Sequence, residues 1–248
     1  MTTIPKIIHY CWFGKNPLPP LALKCIESWK KYLPDYEIRE WNEENFDVYI
    51  IPYTKEAYEA KKYAFVSDYA RFWILYNYGG LYFDTDVEVI KNIDDIIEKG
   101  PFMGREAGAY MMGDNKAIAP GLGLGVIPYH KVYKKILQKY STLQFIVNGK
   151  LNETTVVKYT SDVLDEFPIQ KITNEIDLIE DIYIYDPEYF CPINHSTNEI
   201  SITNNTRTIH HYTATWKTKR QKNKEKILKL LGPTLSSFLV YIKHYFKR

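Results

Sequence analysis

The pattern of apolar and polar residues predicts strands and helices that follow one another along the chain. Residues 4–13 are mostly apolar and aromatic, which predicts a first parallel strand with two buried faces. Apolar residues at three- and four-residue spacing predict helices over residues 21–32, 53–62, 64–78 and 129–140. Further strands are predicted over 36–41 and 181–185, with strands and loops in 96–112 and 117–127. This alternation favours an α/β protein with helices on the faces of its sheet.

Two carboxylates, Asp84 and Asp86, follow a glycine pair and a short apolar segment at residues 79–83. In an extended segment, residues two positions apart point to the same side, so both carboxylates are expected to converge at the carboxyl end of a strand. Open α/β sheets bind ligands at that edge. Oxygen ligands at this spacing suit Mg²⁺ or Mn²⁺ that holds phosphates. An Asp-x-Asp pair alone is common, so its neighbours decide the interpretation.

The neighbouring helix, residues 64–78, is almost wholly apolar and aromatic except for Asp68 and Arg71. These two charges are three residues apart and therefore share one helix face. A surface ion pair would be worth under about 1 kcal/mol. In a mostly buried helix, by contrast, the charges need partners or a task. Gly79 is placed to end the helix as a left-handed cap.

The segment Ser67-Asp68-Tyr69-Ala70-Arg71, followed by Gly79-Gly80-Leu81-Tyr82-Phe83-Asp84-Thr85-Asp86, resembles the signature of glycosyltransferase family thirty-two. Residues 4–14 and 210–216 resemble the two ends of that family. It includes fungal Golgi mannosyltransferases, bacterial capsule and exopolysaccharide transferases and, distantly, the glucosylating domains of clostridial toxins. The resemblance implies a GT-A type, Rossmann-like nucleotide-sugar-binding fold with a mixed, mostly parallel central sheet. It assigns residues 1–216 to the catalytic domain.

The resemblance also implies the catalytic residues, which are Asp68, Arg71, Asp84 and Asp86. Asp86 is the first expected metal ligand, and Asp84 is expected to touch the metal and the ribose hydroxyls. The third ligand is expected to be His211, with His210 as the second choice, because related retaining transferases place their metal histidine just before an aromatic residue. Imidazole suits Mn²⁺ better than Mg²⁺, so Mn²⁺ is the expected cofactor and Mg²⁺ the alternative.

The residues expected to contact the donor are Trp12, Ser67, Asp68, Arg71, Tyr82, Asp84 and Trp216. Trp12 would stack on the nucleobase, although an ordinary core tryptophan is a rival interpretation. The Arg71 guanidinium would meet the diphosphate or the sugar, and Asp68 and Tyr82 would bind sugar hydroxyls. Trp216 would close over the diphosphate. Gly121-Leu122-Gly123-Leu124-Gly125 lacks the dinucleotide-binding spacing; in the family's architecture it lies near the donor sugar and the acceptor, where glycine allows a close backbone approach.

The resemblance predicts a retaining, Mn²⁺-dependent transferase that moves galactose or glucose from a UDP-sugar to a glycan acceptor in bacterial surface polysaccharide synthesis. GDP-mannose remains an open donor. The rivals are a nucleotide-sugar hydrolase or phosphotransferase, and a non-catalytic sugar- or nucleotide-binding module with a structural metal. Glu106, Asp114 and Glu153 are candidate nucleophiles, but for each of them a solvated loop residue is the favoured interpretation. A front-face mechanism would need none of them.

The charge of the chain is concentrated in residues 217–248. The net charge is +2, yet this tail has ten lysines and arginines against one glutamate. Its apolar residues recur at helical spacing, which predicts a basic amphipathic helix on an anionic membrane surface; packing on the catalytic domain or a second subunit is the alternative. Three cysteines without metal spacing, and no visible signal peptide, favour a cytoplasmic enzyme. The tail adds the expectation of a peripheral position on the inner membrane face and of a lipid-linked acceptor. No nucleic-acid partner is expected.

Overall fold

A computed structural model describes residues 3–106, 117–193 and 199–213 of the 248-residue chain. The strands in these ranges are β1 Ile7–Cys11, β2 Glu37–Trp41, β3 Gly80–Tyr82, β4 Val87–Val89, β5 Phe102–Gly104, β6 Leu124–Val126, β7 Ile146–Val147, β8 Lys150–Leu151, β9 Ile169–Lys171, β10 Ile176–Ile179, β11 Ile182–Tyr185 and β12 Thr208–His210. The helices are α1 Pro20–Tyr32, α2 Pro52–Glu59, α3 Tyr63–Tyr78, α4 Asp94–Ile97, α5 Lys131–Ser141, α6 Val156–Leu164 and α7 Pro187–Phe190.

Eight of these strands form one mixed sheet in the order β2-β1-β3-β6-β5-β11-β10-β9. β1 is parallel to both β2 and β3, and β5 is parallel to β11. β6 lies antiparallel between β3 and β5, and β10 lies antiparallel between β11 and β9. Six of the eight strands therefore run in one direction. The predicted mixed, mostly parallel α/β sheet is confirmed.

The sheet separates two hydrophobic cores, because successive side chains of a strand point to opposite faces. Tyr82 of β3 belongs to the core covered by α2, α3, α5 and α6. Its neighbours Leu81 and Phe83 belong to the opposite core, where they join Trp29 of α1 and Phe190 of α7. The expectation of helices on both faces is confirmed, and it explains why β3 is buried on both sides.

Helix α3 passes into β3 through a turn that only glycine fits. Gly79 ends the helix with its N–H donated to the Leu75 carbonyl at 2.9 Å. Its φ of +64° with ψ of −160° lies in a region essentially restricted to glycine, rather than at the left-handed cap that the sequence predicted. Gly80 has φ +95°, and a Cβ there would lie 2.6 Å from the Ile7 carbonyl oxygen of β1. The tight turn sets β3 beside β1, so that Asp84 emerges at the carboxyl end of both strands.

The pattern of apolar and polar residues did not predict several elements of the fold. β4 leaves the central sheet and pairs antiparallel with β12, while β7 and β8 form a separate hairpin. Residues 96–97 belong to α4, within a region where strands and loops were predicted. No helix in the described ranges is both long and apolar enough to cross a membrane. Residues 217–248, and with them the predicted domain boundary and tail helix, lie outside the described residues.

Candidate active site

The Asp84–Asp86 segment is a turn between β3 and β4. The Val87 N–H donates to the Asp84 carbonyl oxygen at 3.0 Å and closes the turn. The prediction of an extended segment is therefore wrong, because the chain must leave the central sheet here for β4 to pair with β12. Both carboxylates still lie just beyond the carboxyl end of β3, the edge at which β1 ends before Trp12.

Arg71 is the centre of a buried ion-pair cluster. Its side chain is 4% exposed, and its Nη2 lies 2.8 Å from Asp68 Oδ1 and 3.3 Å from Asp84 Oδ1. Tyr82 donates its hydroxyl to the same Asp84 oxygen at 3.1 Å. The expectation that Asp68 and Arg71 share a buried face of the helix is confirmed, and the burial rules out the alternative of a solvent-exposed pair. The guanidinium joins the helix α3 to the first carboxylate of the Asp-x-Asp segment.

This cluster has two carboxylates for one guanidinium. Burial raises the pKa of Asp68 to about 7; the Arg71 charge opposes this rise, and the Asp84 charge adds to it. Asp84 shares the Arg71 charge with Asp68 and its side chain is 28% exposed, so its carboxylate can attract a further cation close by. The arrangement therefore favours binding of a divalent cation next to Asp84.

Gly121 leaves the space that the Asp84 carboxylate occupies. A Cβ on Gly121 would lie 2.1 Å from Asp84 Oδ2, and the Gly121 carbonyl accepts the Asp84 N–H at 3.1 Å. The loop before β6 thus holds Asp84 by its backbone and gives its side chain room. The implied placement of the glycine run near the site agrees with this contact.

The two histidines at the end of β12 point to different carboxylates. His210 Nε2 lies 3.0 Å from Asp86 Oδ1, whereas His211 Nε2 lies 2.8 Å from Glu88 Oε2. The expectation that His211 would lie beside Asp86 is therefore wrong: His210, the second choice, is the histidine in contact with Asp86. In the β12–β4 pairing Ile209 is opposite Glu88 and His210 is opposite Val87, so the side chain of His211, two residues after Ile209, lies on the Glu88 side. Asp86 precedes β4 in the turn, and its carboxylate meets His210 on the other side.

The charge of Asp86 also acts on His210. Burial disfavours the imidazolium, yet the hydrogen bond to Asp86 and the charges of Asp86, Asp84 and Glu106 together raise the pKa of His210. Its Nδ1 is buried and has no hydrogen-bond partner among the described residues. An imidazole and a carboxylate in contact, both less than a fifth exposed, are a donor pair suited to a transition metal.

The donor set fits a divalent ion with few protein ligands. No group of three or more histidine, cysteine, aspartate or glutamate side chains within residues 3–106, 117–193 and 199–213 is arranged to hold a metal. Asp86 and His210 are together, while Asp84 is turned to Arg71 and Tyr82. Magnesium-type sites often use one or two protein ligands and take the others from substrate phosphates and water. Asp86 and His210 fit such a site, with Asp84 beside it.

The other residues that were predicted to contact the donor or to act as nucleophile lie in different environments. Trp12 is half-buried and donates its indole N–H to the Asn16 carbonyl at 2.6 Å. The Ser67 hydroxyl donates to the Tyr63 carbonyl within α3 at 3.3 Å. Tyr82 is 1% exposed, so it positions Asp84 and has no open face for a sugar. Glu153 pairs with Lys62 at 3.0 Å. Trp216 and Asp114 lie outside the described residues.

Sequence reasoning missed three features of the site. The Gly121–Asp84 contact and the Glu88 partner of His211 were not predicted. Glu106, considered as a nucleophile or a solvated loop residue, accepts a hydrogen bond from the Tyr212 hydroxyl at 3.0 Å. The glycine run was the one signal for the first, and the charge of Glu88 at spacing two from Asp86 could have suggested the second.

Comparison with known proteins agrees with this geometry. Residues 19–103 match the family model described as "Glycosyltransferase sugar-binding region containing DXD motif". The chain is 30% identical to an uncharacterized glycosyltransferase, L373, of Acanthamoeba polyphaga mimivirus over 195 residues, which are 73% of each protein. It is also 30% identical over 122 residues to inositol phosphoceramide mannosyltransferase 3 of Schizosaccharomyces pombe. That match covers 48% of this chain and 34% of the yeast protein.

Among solved structures, the fold is similar to a glycosyltransferase involved in the glycosylation of the major capsid of PBCV-1. The TM-score is 0.50 at 16% identity, and the match covers 89% of this chain and all of the other. That likeness identifies the GT-A fold. Residues 19–103, which match the family model, contain α3, the Asp68–Arg71 pair and the Asp-x-Asp turn of the site described above. The chain therefore belongs to the glycosyltransferases whose sugar-binding region contains a DXD motif.

Proposed function

We propose that this glycosyltransferase is a retaining, Mn²⁺-dependent enzyme that transfers galactose or glucose from a UDP-sugar to a glycan acceptor in bacterial surface polysaccharide synthesis. The observation that carries the metal part is the Asp86–His210 contact of 3.0 Å beside the Asp84–Arg71 cluster. The choice of Mn²⁺ rests on the imidazole ligand. Retention, the UDP donor and the polysaccharide product are supported by the resemblance to family thirty-two.

The reaction must stabilise a nucleoside diphosphate as it leaves the anomeric carbon. A divalent ion supplies a Lewis acid that neutralises charge on the departing phosphate oxygens. In this chain, Asp86 and His210 would hold that ion, and Asp84 would face it with one carboxylate oxygen fixed by Tyr82. The leaving phosphate oxygen would take the proton of the acceptor hydroxyl in a front-face transfer.

Arg71 and Trp12 would act at two other points of the donor. Arg71 is paired with two carboxylates and is almost fully buried, so its first task would be to fix Asp84 in the orientation that meets the ion. Trp12 follows β1 at the ligand-binding edge of the sheet, and we assign it the nucleobase by stacking. Its half-buried indole leaves part of the ring available for that contact.

A second donor is favoured by the relatives. Several similar yeast proteins are named inositol phosphoceramide mannosyltransferases or a mannosyl phosphorylinositol ceramide synthase. GDP-mannose is therefore the alternative donor. The chain spans only about a third of the length of those proteins, so their acceptors are not carried over.

The donor can be identified by thermal stabilisation. The full chain would be melted with UDP-galactose, UDP-glucose and GDP-mannose, each with and without Mn²⁺, and the stabilising donor would then be used with glycan acceptors under mass spectrometry. We expect stabilisation by a UDP-sugar that depends on metal and is lost in Asp86→Ala. Stabilisation by GDP-mannose alone would favour the alternative donor. Release of free sugar without any glycan product would indicate a hydrolase, and binding without turnover a binding module.

The tail completes the proposal. We assign residues 217–248 to peripheral attachment on the cytoplasmic face of the membrane, where a lipid-linked glycan would be the acceptor. Full-length protein should sediment with anionic liposomes at low salt, and a chain ending at Thr218 should not. Equal sedimentation of the two proteins would contradict membrane attachment and favour packing of the tail on the catalytic domain or on a second subunit.

A further inference from the structure

Three side chains meet behind His210. The Tyr212 hydroxyl donates to Glu106 Oε2 at 3.0 Å and lies 2.9 Å from Cys191 Sγ. The Tyr212 ring is in contact with the His210 imidazole, at a centroid distance of 3.9 Å. The tyrosine thus lies between a carboxylate of one segment and the histidine that faces Asp86.

The backbone of Tyr212 is in an unfavourable conformation that these contacts would maintain. Its φ is +48°, in the left-handed region, which is strained for a residue that carries a side chain. Such outliers persist where the surroundings determine them and are frequent at functional sites. Here the turn follows directly after β12 and folds the ring back onto His210, two residues earlier in the chain.

The carboxylate at the other end of this contact has a rigid support. Glu106 follows β5 and Arg105, whose guanidinium binds Asp177 at 2.7 Å and Asp186 at 3.1 Å. The Glu106 N–H donates to the Ala117 carbonyl at 3.2 Å. By accepting the Tyr212 hydrogen bond, Glu106 can therefore help to fix the position of the Tyr212 ring.

We propose that Glu106 is a positioning residue that fixes His210 for metal binding through Tyr212. The Tyr212 hydroxyl is held by the Glu106 carboxylate, and the ring, locked in this way, holds the imidazole against Asp86. Burial raises the pKa of Glu106, in keeping with a carboxyl group enclosed by protein. Supporting residues of this kind commonly contribute 10- to 100-fold to metal affinity.

The inference rests on the proposed metal site and can be tested apart from catalysis. Mn²⁺ would be titrated into the full chain, alone and with excess UDP, and the free ion measured by electron paramagnetic resonance. Tyr212→Phe keeps the ring and loses the donor, so we expect Mn²⁺ affinity to fall about tenfold. Glu106→Leu should give a similar loss, and the double variant should be no weaker than either single one. Glu106→Gln retains an acceptor oxygen and should bind within about twofold of wild type.

Cys191→Ala is the matched control, since it removes the other contact of the Tyr212 hydroxyl and leaves the Glu106 hydrogen bond. Its Mn²⁺ affinity should stay within about twofold of wild type, and melting temperatures of all variants would identify any general loss of folding. If His210→Ala binds Mn²⁺ as wild type does, or wild type binds none, the proposed metal site itself is wrong. If His210→Ala weakens binding while Tyr212→Phe does not, or if Cys191→Ala is equally weakened, the positioning role of Glu106 is overturned.

Discussion

Replacing Gly121 by alanine should disable the site without removing any ionisable group. The added Cβ would lie 2.1 Å from Asp84 Oδ2 and 3.0 Å from its Cγ. Real Cβ atoms essentially never come within 3.0 Å of such a neighbour, so the carboxylate must move by about 1 Å, a misplacement that can cost about 10²-fold in rate. Gly121 has no left-handed φ, so the substitution tests space and not backbone strain.

The same displacement should lower stability. Asp84 would lose its contacts with Arg71 and Tyr82, which together are worth about 2 kcal/mol or a fall in melting temperature of about 4–8 °C. We expect Gly121→Ala to show a kcat/KM about 10²-fold below wild type in a transfer assay that uses the donor found by thermal stabilisation.

Asp84→Ala provides the matched background for this test, because it removes the atoms with which the new Cβ collides. The destabilisation caused by Gly121→Ala should largely vanish in the double variant, as expected for residues in contact. A Gly121→Ala enzyme with near-normal kcat/KM would show that the loop of residue 121 shifts to accommodate the new Cβ and that the Asp84 carboxylate keeps its position. An equal loss of stability with and without the Asp84 side chain would locate the strain away from the carboxylate.

Further substitutions test the other parts of the site. Asp86→Ala should abolish metal-dependent transfer while melting cooperatively, and His210→Ala should impair transfer more than His211→Ala; the opposite order of the histidines would contradict the register argument. Arg71→Lys should lose about 10²-fold in kcat/KM, since one ammonium cannot replace a guanidinium that contacts two carboxylates, and a near-normal Arg71→Lys enzyme would argue against the shared-cation cluster. Burial lowers the pKa of His9 from 6.5 to about 4, so the unfolded chain takes up a proton first as the pH falls. Denaturant titrations should therefore show a stability loss approaching about 3 kcal/mol between pH 6.5 and pH 4, and His9→Gln should flatten that slope; an unchanged slope would assign the acid sensitivity to other groups.

The local parts of the site could be predicted from the sequence. Asp68 and Arg71 are on one helix face at fixed spacing, so their pairing needs no knowledge of the rest of the fold. The glycine pair and the apolar residues after it similarly fix the order of helix, turn and buried strand. These features depend on neighbours within about twenty residues, where spacing determines geometry.

The non-local parts could not be predicted. The choice between His210 and His211 depends on the pairing of β12 with β4, and a shift of one residue would exchange the two side chains. The contact between Gly121 and Asp84 arises because β6 is inserted antiparallel between β3 and β5. The pattern of apolar residues along the chain does not predict this strand order. The turn at Asp84 depends on another distant pairing, because β4 leaves the central sheet to pair with β12, near the end of the described residues.

The His210–Asp86 contact joins residues 124 positions apart, and this separation has a consequence for the protein during its synthesis. At about 5–20 residues per second, the ribosome adds the histidine roughly 6 to 25 s after the carboxylate that it will meet. Throughout that interval the nascent chain already contains Asp68, Arg71 and Asp84, which can assemble without β12. A growing polypeptide would thus contain the residues of the charge cluster before those of the proposed Asp86–His210 metal site, which is complete only when β12 has paired with β4.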